Sequence, residues 1–188
     1  MPYAFFAKRR FQATEPVSAE SYPEFVERAQ YCVVSEAEYP YSVEQVWGAI
    51  SGERMWSWLP TCWGPRYPAG GGAPGVVRDW QMYVFDWLYY SQHERILHWE
   101  PLRKIAYTVD NATLPFFGSW LEEYLIEPTA DGKGTRLRWT WAMKIRFIGW
   151  LPLRWLAPIL RPIFEFALRG VIREIEGGPM SAPKPTSA

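Results

Sequence analysis

Three ionisable residues on neighbouring apolar stretches, Arg78, Glu94 and His98, are the candidates for acid–base chemistry. A carboxyl group buried in an apolar cavity has a raised pKa that suits proton transfer, and an imidazole titrates near neutrality. An arginine on the same surface could hold a carboxylate or enolate oxygen of a ligand. The sequence therefore allows proton transfer assisted by a guanidinium, and the structural alternative is an Arg78 that simply pairs with an acid.

The direction of these side chains depends on the parity of their strand. Glu94 and His98 are four residues apart, so a regular strand places them on one face together with Tyr90 and Ile96. The opposite face of the same strand is also rich in aromatic residues. Two interpretations therefore remain open: a polar patch inside a cavity, or solvated residues without a chemical role.

The sequence predicts neither a metal site nor a cofactor. His93 and His98 are five residues apart, so on one strand they point to opposite faces. Cys32 and Cys62 do not have the spacing of a zinc site or of a disulfide scaffold. The Gly70–Gly75 segment formally matches G-x-G-x-x-G, but it does not follow a strand and open a helix, as a dinucleotide-binding loop must.

Composition narrows the class of protein. The chain has 188 residues, which suits one domain, and its 20 basic and 20 acidic residues give no net charge. This balance argues against nucleic acid as a partner, since a binder needs surplus cations to neutralise phosphates. Aromatic residues make up 18% of the chain, including 12 Trp. Indoles are rigid, apolar and able to donate a hydrogen bond, so they indicate a lined cavity or a membrane interface as well as a core.

The spacing of apolar and turn residues predicts short helices followed by antiparallel strands. Ser42 and Gln45 form a capping box for a helix over Val43–Ile50, and a second helical piece is expected at Glu53–Leu59. Short connections between the later strands favour antiparallel pairing. The expected strands are Tyr31–Tyr39, Val76–Phe85, Leu88–Trp99, Lys104–Val109, Ser119–Glu127 and Thr135–Phe147.

The last strand and a long closing helix, from Leu156 to Glu176, each have one apolar side. Alternation along the strand predicts one buried face and one wet face. The buried set includes Leu137, Trp139, Trp141 and Met143. On the helix the charged residues Arg161, Glu165, Arg169 and Arg173 predict the solvent side, and the opposite side includes Ile163, Ala167 and Val171. Small residues at Ala167 and Gly170 leave room there for the sheet or for a ligand.

Four segments, in this order and spacing, resemble the polyketide cyclase/dehydrase-like branch of the START-like (SRPBCC) superfamily. They are Ala37–Trp47, Gly75–Arg78, Glu94–Pro101 and Asp131–Trp139. The resemblance implies an α+β helix-grip fold over residues 31–176. In that fold a curved antiparallel sheet wraps around the long C-terminal helix, and two short helices follow the first strand. Residues 1–30 would be an N-terminal extension and residues 177–188 a disordered tail.

The resemblance also implies an apolar cavity between the sheet and the closing helix. The leading hypothesis is a cytoplasmic protein that binds a hydrophobic small molecule there: a lipid, a polyketide or an aromatic compound. The expected lining is Trp80, Met82, Tyr90, Trp139, Trp141, Met143, Ile163, Ala167 and Val171. The second hypothesis is a polyketide cyclase or dehydratase in which Arg78, Glu94 and His98 are catalytic.

A third hypothesis is peripheral membrane contact. The N-terminal arm carries Phe5 and Phe6 before a basic triplet, and the Phe147–Leu168 segment contains Trp150 and Trp155. That segment is long enough to span a bilayer, but its three charges and three prolines argue against a span and favour shallow interfacial contact.

Overall fold

A seven-stranded antiparallel sheet forms the body of the part described by this computed structural model, residues 11–59, 61–84 and 87–177. The strands are β1 Gln12–Ala13, β2 Tyr31–Tyr39, β3 Val77–Val84, β4 Trp87–Glu100, β5 Lys104–Ala112, β6 Phe117–Pro128 and β7 Thr135–Ile145. Six of them lie in the order β2-β7-β6-β5-β4-β3, and the short β1 pairs with β5. The expected N-terminal arm with Phe5 and Phe6, and the tail from residue 178, lie outside the described residues.

The helices pack as the helix-grip prediction requires, and the predicted α+β fold is confirmed. They are α1 Tyr22–Arg28, α2 Val43–Ser51, α3 Ala157–Arg169 and α4 Val171–Ile175, with a 3-10 turn at Arg154–Leu156. The α3 helix lies against β2 on the inner face of the sheet. Tyr31 and Tyr39 of β2 fix it there, because their hydroxyls donate to the carbonyls of Leu156 and Leu168 at 3.1 and 2.8 Å.

The residues after α2 fold differently from the prediction. The capping box is present, with the Ser42 hydroxyl accepting from the Gln45 amide and the Gln45 side chain accepting from the Ser42 amide. Glu53–Leu59, however, forms a series of turns and no helix. Trp56 has a φ of 63°, a left-handed conformation that is unusual for a large side chain. Its indole is buried against Trp139 with a centroid distance of 4.6 Å, so tertiary packing overrides local helix preference.

The predicted closing helix is divided at Gly170 into α3 and α4. A Cβ atom at Gly170 would lie 1.9 Å from Cδ1 of Trp58. The indole of Trp58 therefore fills the room that the small residues leave, and its Nε1 donates to the Ala167 carbonyl at 2.9 Å. The space beside Gly170 is therefore filled by the Trp58 side chain, and it is not left for the sheet or for a ligand.

The face of α3 that packs on the sheet also differs from the prediction. Ile163, expected on the inner side, is 61% exposed. Phe164, Ala167, Leu168 and Val171 are the buried residues of α3 and α4. The difference arises because the charged stripe does not lie at the centre of the solvent side. The helix is apolar around most of its circumference, so charge alone does not identify the buried face.

Residues 11–29 cover part of the outer face of the sheet. Val17 and Ala29 are buried against Leu121 of β6 and Ala142 of β7, with the side chains of α1 packed around them. The outer face is therefore not wet throughout. Where it is uncovered, Arg136 and Arg138 of β7 pair with Glu38 and Glu36 of β2 at 2.8 and 2.6 Å.

Within the described residues, no helix combines the length and the apolar character that a membrane crossing requires.

We predict that Gly170→Ala lowers the free energy of unfolding by about 1–3 kcal/mol, because the added methyl group overlaps the Trp58 indole. The matched control is Gly48→Ala on the exposed side of α2, where no atom lies within 4 Å of the new Cβ. That change should raise the free energy of unfolding by about 0.5–1 kcal/mol through helix propensity. Urea denaturation measures both, and equal effects at the two sites would show that Trp58 does not pack against Gly170.

Candidate functional site

A cavity of about 220 Å³ lies between the inner face of the sheet, the turns after α2 and the α3 helix. The turns contribute Trp56, Leu59 and Cys62, the strands contribute Trp80, Met82, Gln92, Glu94, Tyr107, Trp120, Glu122, Trp139 and Trp141, and α3 contributes Phe164. Most of these side chains are aromatic. The site is thus an apolar cavity with two carboxyl groups in its wall.

The aromatic rings of the wall hold one another in place. Trp139 lies 4.6 Å from Trp56 and 4.3 Å from Phe164 between ring centroids. Trp141 lies 5.2 Å from Phe164 and 5.2 Å from Trp120. Tilted and edge-on ring pairs at these distances are favourable and fix side-chain orientation. The wall is therefore preformed by the protein's own packing.

One carboxyl group, Glu94, belongs to a buried ion pair. Nε of Arg78 donates to Oε2 of Glu94 at 2.6 Å, and both side chains are 1% exposed. Nε2 of Gln92 donates to Oε1 of Glu94 at 2.5 Å. Arg78 also donates to the Tyr67 hydroxyl, and its guanidinium carbon lies 4.4 Å from the ring centroid of Tyr107. Arg78 is thus engaged on several sides and does not line the cavity.

Burial is the main influence on Glu94. Loss of hydration raises its pKa, the guanidinium of Arg78 partly offsets that rise, and the carboxyl group of Glu122 adds to it. The thiol of Cys62, also in the cavity wall, has its pKa raised by burial to about 12. Cys62 is therefore a protonated, apolar part of the wall at neutral pH.

The other carboxyl group, Glu122, is held by three hydrogen-bond donors. Nε1 of Trp120 donates to Oε1 at 2.9 Å. Nε1 of Trp139 and the hydroxyl of Tyr124 donate to Oε2 at 2.8 and 2.5 Å. An ionised carboxylate only accepts hydrogen bonds, so three converging donors suit the charged form. No cation pairs with Glu122 among the residues that the structure describes.

Among the expected lining residues, Trp80, Met82, Trp139 and Trp141 border the cavity. Other expected residues are buried in the core beside the cavity and do not border it. These are Tyr90, Met143, Ala167 and Val171. Ile163 is excluded by its exposure, for the reason given above.

His98 does not share the face of Glu94, and a β-bulge explains why. In the pairing of β4 with β5, Ile96 lies opposite Tyr107 and His98 opposite Ala106, so Leu97 is an extra residue. Such a bulge reverses the alternation of the side chains beyond it. His98 therefore packs edge-on against Tyr22 of α1 on the outer side of the sheet, with 5.1 Å between the ring centroids. It is not placed to act in the cavity.

Several residues of the site were not predicted. Glu122 on β6 is one of them. The available signal was the alternation of Trp120, Glu122 and Tyr124, which places all three on one face. Phe164 was not predicted because it lies on a different face of the helix from the one expected to be buried. Trp56 and Cys62 were not predicted because they lie in an irregular segment without a periodic pattern.

Comparisons with known proteins agree with this architecture. The model of the family described as polyketide cyclase/dehydrase and lipid transport matches residues 30–176. An uncharacterized protein of Mycobacterium tuberculosis is 25% identical over 156 residues, which cover 80% of this chain and 86% of that protein.

Solved structures show the same fold at low sequence identity. Ara h 8.0201 superposes with a TM-score of 0.57 at 16% identity, covering 78% of this chain and 95% of its own. A START superfamily protein from Mycobacterium smegmatis gives 0.53 at 16% identity, covering 78% and 95%. DynU16, from the dynemicin biosynthetic locus, gives 0.57 at 15% identity, covering 81% and 49%.

We predict that Glu94→Gln lowers the free energy of unfolding by about 3–5 kcal/mol, because it leaves the buried guanidinium of Arg78 without its counter-charge. Arg78→Met should have a similar cost. The double variant should cost less than the sum of the single variants, since neither lone charge remains. Chemical denaturation of the four proteins tests the coupling, and strictly additive costs would contradict it.

Proposed function

This chain belongs to the polyketide cyclase/dehydrase and lipid transport family, and we propose that it binds a hydrophobic small molecule in the cavity between its sheet and α3. The observation that supports this most directly is the preformed aromatic wall around about 220 Å³ of space. A pocket lined by apolar side chains with a few polar groups is the usual form of a small-molecule site.

The volume restricts the class of ligand. An apolar cavity of roughly 150 Å³ accepts benzene, whereas sites for drug-sized ligands measure about 300–1,000 Å³. A cavity of about 220 Å³ therefore suits one or two fused rings, or an aliphatic body of similar size. A sterol or a two-chain lipid is too large to be enclosed. Among the ligands that the family resemblance suggested, a small aromatic compound fits best.

We predict that wild-type protein binds 2-naphthylmethanol, a neutral molecule of this size, and that Cys62→Leu weakens binding at least tenfold. The larger leucine occupies cavity space without adding a charge, and it removes only the weak contact of the Cys62 thiol with the Thr61 hydroxyl at 3.8 Å. Isothermal titration calorimetry measures the dissociation constants.

The matched control is Cys32→Leu, the same substitution on β2 at a half-buried position packed on the outer side of the sheet. It should leave binding unchanged. Equal affinity for wild-type protein and Cys62→Leu would place the ligand elsewhere, and no binding of the probe by wild-type protein would count against the proposal.

A second candidate function, contact with a membrane surface, is supported by an exposed apolar patch. The patch consists of Phe147, Trp150, Trp155, Ile159, Ile163 and Phe166, which are 60–80% exposed. Large apolar residues exposed in one region of the chain are typical of a surface that contacts a partner or a membrane. Arg169 lies on the same helix and would favour anionic headgroups, whereas Arg161 pairs with Glu165 at 3.7 Å. Tryptophan is also suited to the interfacial region of a bilayer.

We predict that the protein sediments with vesicles containing phosphatidylglycerol and that Trp150→Ser with Trp155→Ser reduces the bound fraction severalfold. The control is Val77→Ser on β3, an exposed apolar position at the far edge of the sheet. Equal sedimentation of the double variant and the control would exclude this patch as the contact surface.

A further inference from the structure

Of the two carboxyl groups in the cavity wall, one has no cationic partner among the described residues. Glu94 is neutralised by Arg78, but Glu122 is 5% exposed and pairs with no cation in the described part of the chain. Its neighbours are the hydroxyl of Tyr124, the indoles of Trp120 and Trp139, and the carboxyl group of Glu94, whose pKa it raises. Folding has therefore already removed this carboxylate from water without supplying a counter-charge.

Around the two carboxyl groups, the hydrogen-bond donors are already engaged, and only acceptor positions on oxygen remain free. Five donors, from Trp120, Trp139 and Tyr124 on Glu122 and from Arg78 and Gln92 on Glu94, are already used. Oε1 of Glu122 accepts from one donor and retains a further acceptor position. A ligand that donates a hydrogen bond fits this arrangement, and a ligand that brings an anion does not.

The aromatic wall adds an attraction for the same kind of ligand. The faces of indole rings carry negative electrostatic potential, and organic cations bind in boxes of such rings. Here Trp56, Trp80, Trp120, Trp139 and Trp141 all border the cavity that contains Glu122. The field of Glu122 also reaches its neighbours, since it raises the pKa of Tyr107 and of Tyr124 after the larger effect of burial.

We propose that the cavity selects a small organic cation, an ammonium group attached to a compact apolar body, with the ammonium beside Glu122 and the body among the indoles. This inference rests on the proposed ligand-binding function and specifies the chemical class of the ligand. A cation offsets the buried charge of Glu122. Because Glu122 has already lost its hydration on folding, binding a cation there adds no further desolvation cost for this carboxylate. A neutral alcohol of the same shape can donate a hydrogen bond to Oε1 of Glu122, but it does not offset the charge.

The test compares three probes of one shape: 2-naphthylmethylammonium, neutral 2-naphthylmethanol and anionic 2-naphthylacetate. Calorimetry on wild-type protein should give a dissociation constant at least tenfold lower for the ammonium than for the alcohol, with the carboxylate weakest. If the alcohol or the carboxylate binds as tightly as the ammonium, selection for a cation is wrong and the ligand-binding proposal stands. If none of the three binds, both proposals fail.

Two variants locate the selectivity. Glu122→Gln should bring the ammonium and the alcohol to within about threefold of each other, because the charge is lost while the shape is kept. Trp80→Leu removes a cavity indole that makes no hydrogen bond to Glu122, and it should weaken the ammonium more than the alcohol. The second variant provides the test if Glu122→Gln does not fold. A preference for the ammonium that persists unchanged in every folded variant would overturn the assignment to this cavity.

Discussion

Two carboxyl groups buried in the inner face of an aromatic sheet are the constraint around which this structure is arranged. A buried charge is costly unless it is paired or strongly hydrogen bonded. Glu94 is paired with Arg78, and Glu122 is held by two indole N–H groups and a tyrosine hydroxyl. These requirements explain why the strands beside Glu122 carry tryptophan and tyrosine, which combine large apolar surfaces with a donor. The same rings form the cavity wall.

Packing of the closing helix completes the cavity. Phe164 of α3 lies against Trp139 and Trp141 of β7, while Trp58 occupies the gap at Gly170. These contacts hold α3 and the Gly170 junction in place beside the cavity. Ile159, Ile163 and Phe166 on its other side contribute to the exposed apolar patch, so one helix borders both proposed contact surfaces.

Strong periodicity made much of the fold predictable. The alternation in β7, the capping box of α2 and the antiparallel order all depend on neighbouring residues, and sequence reveals such local patterns. The site was harder to predict from the sequence because it depends on irregularities in the backbone. The extra residue Leu97 moves His98 to the outer side, and the left-handed Trp56 replaces an expected helix. Neither irregularity produces a periodic pattern in the sequence. Ile163 shows that hydrophobicity alone does not identify the buried side of a helix with two apolar sides.

The most direct test is a crystal structure of the protein with 2-naphthylmethylammonium bound. The account predicts density for the naphthyl body between Trp139, Trp141 and Phe164, with its nitrogen within hydrogen-bonding distance of a Glu122 oxygen. Density for the probe only on the surface, or an inner face closed by side chains that leave no space for it, would contradict the account.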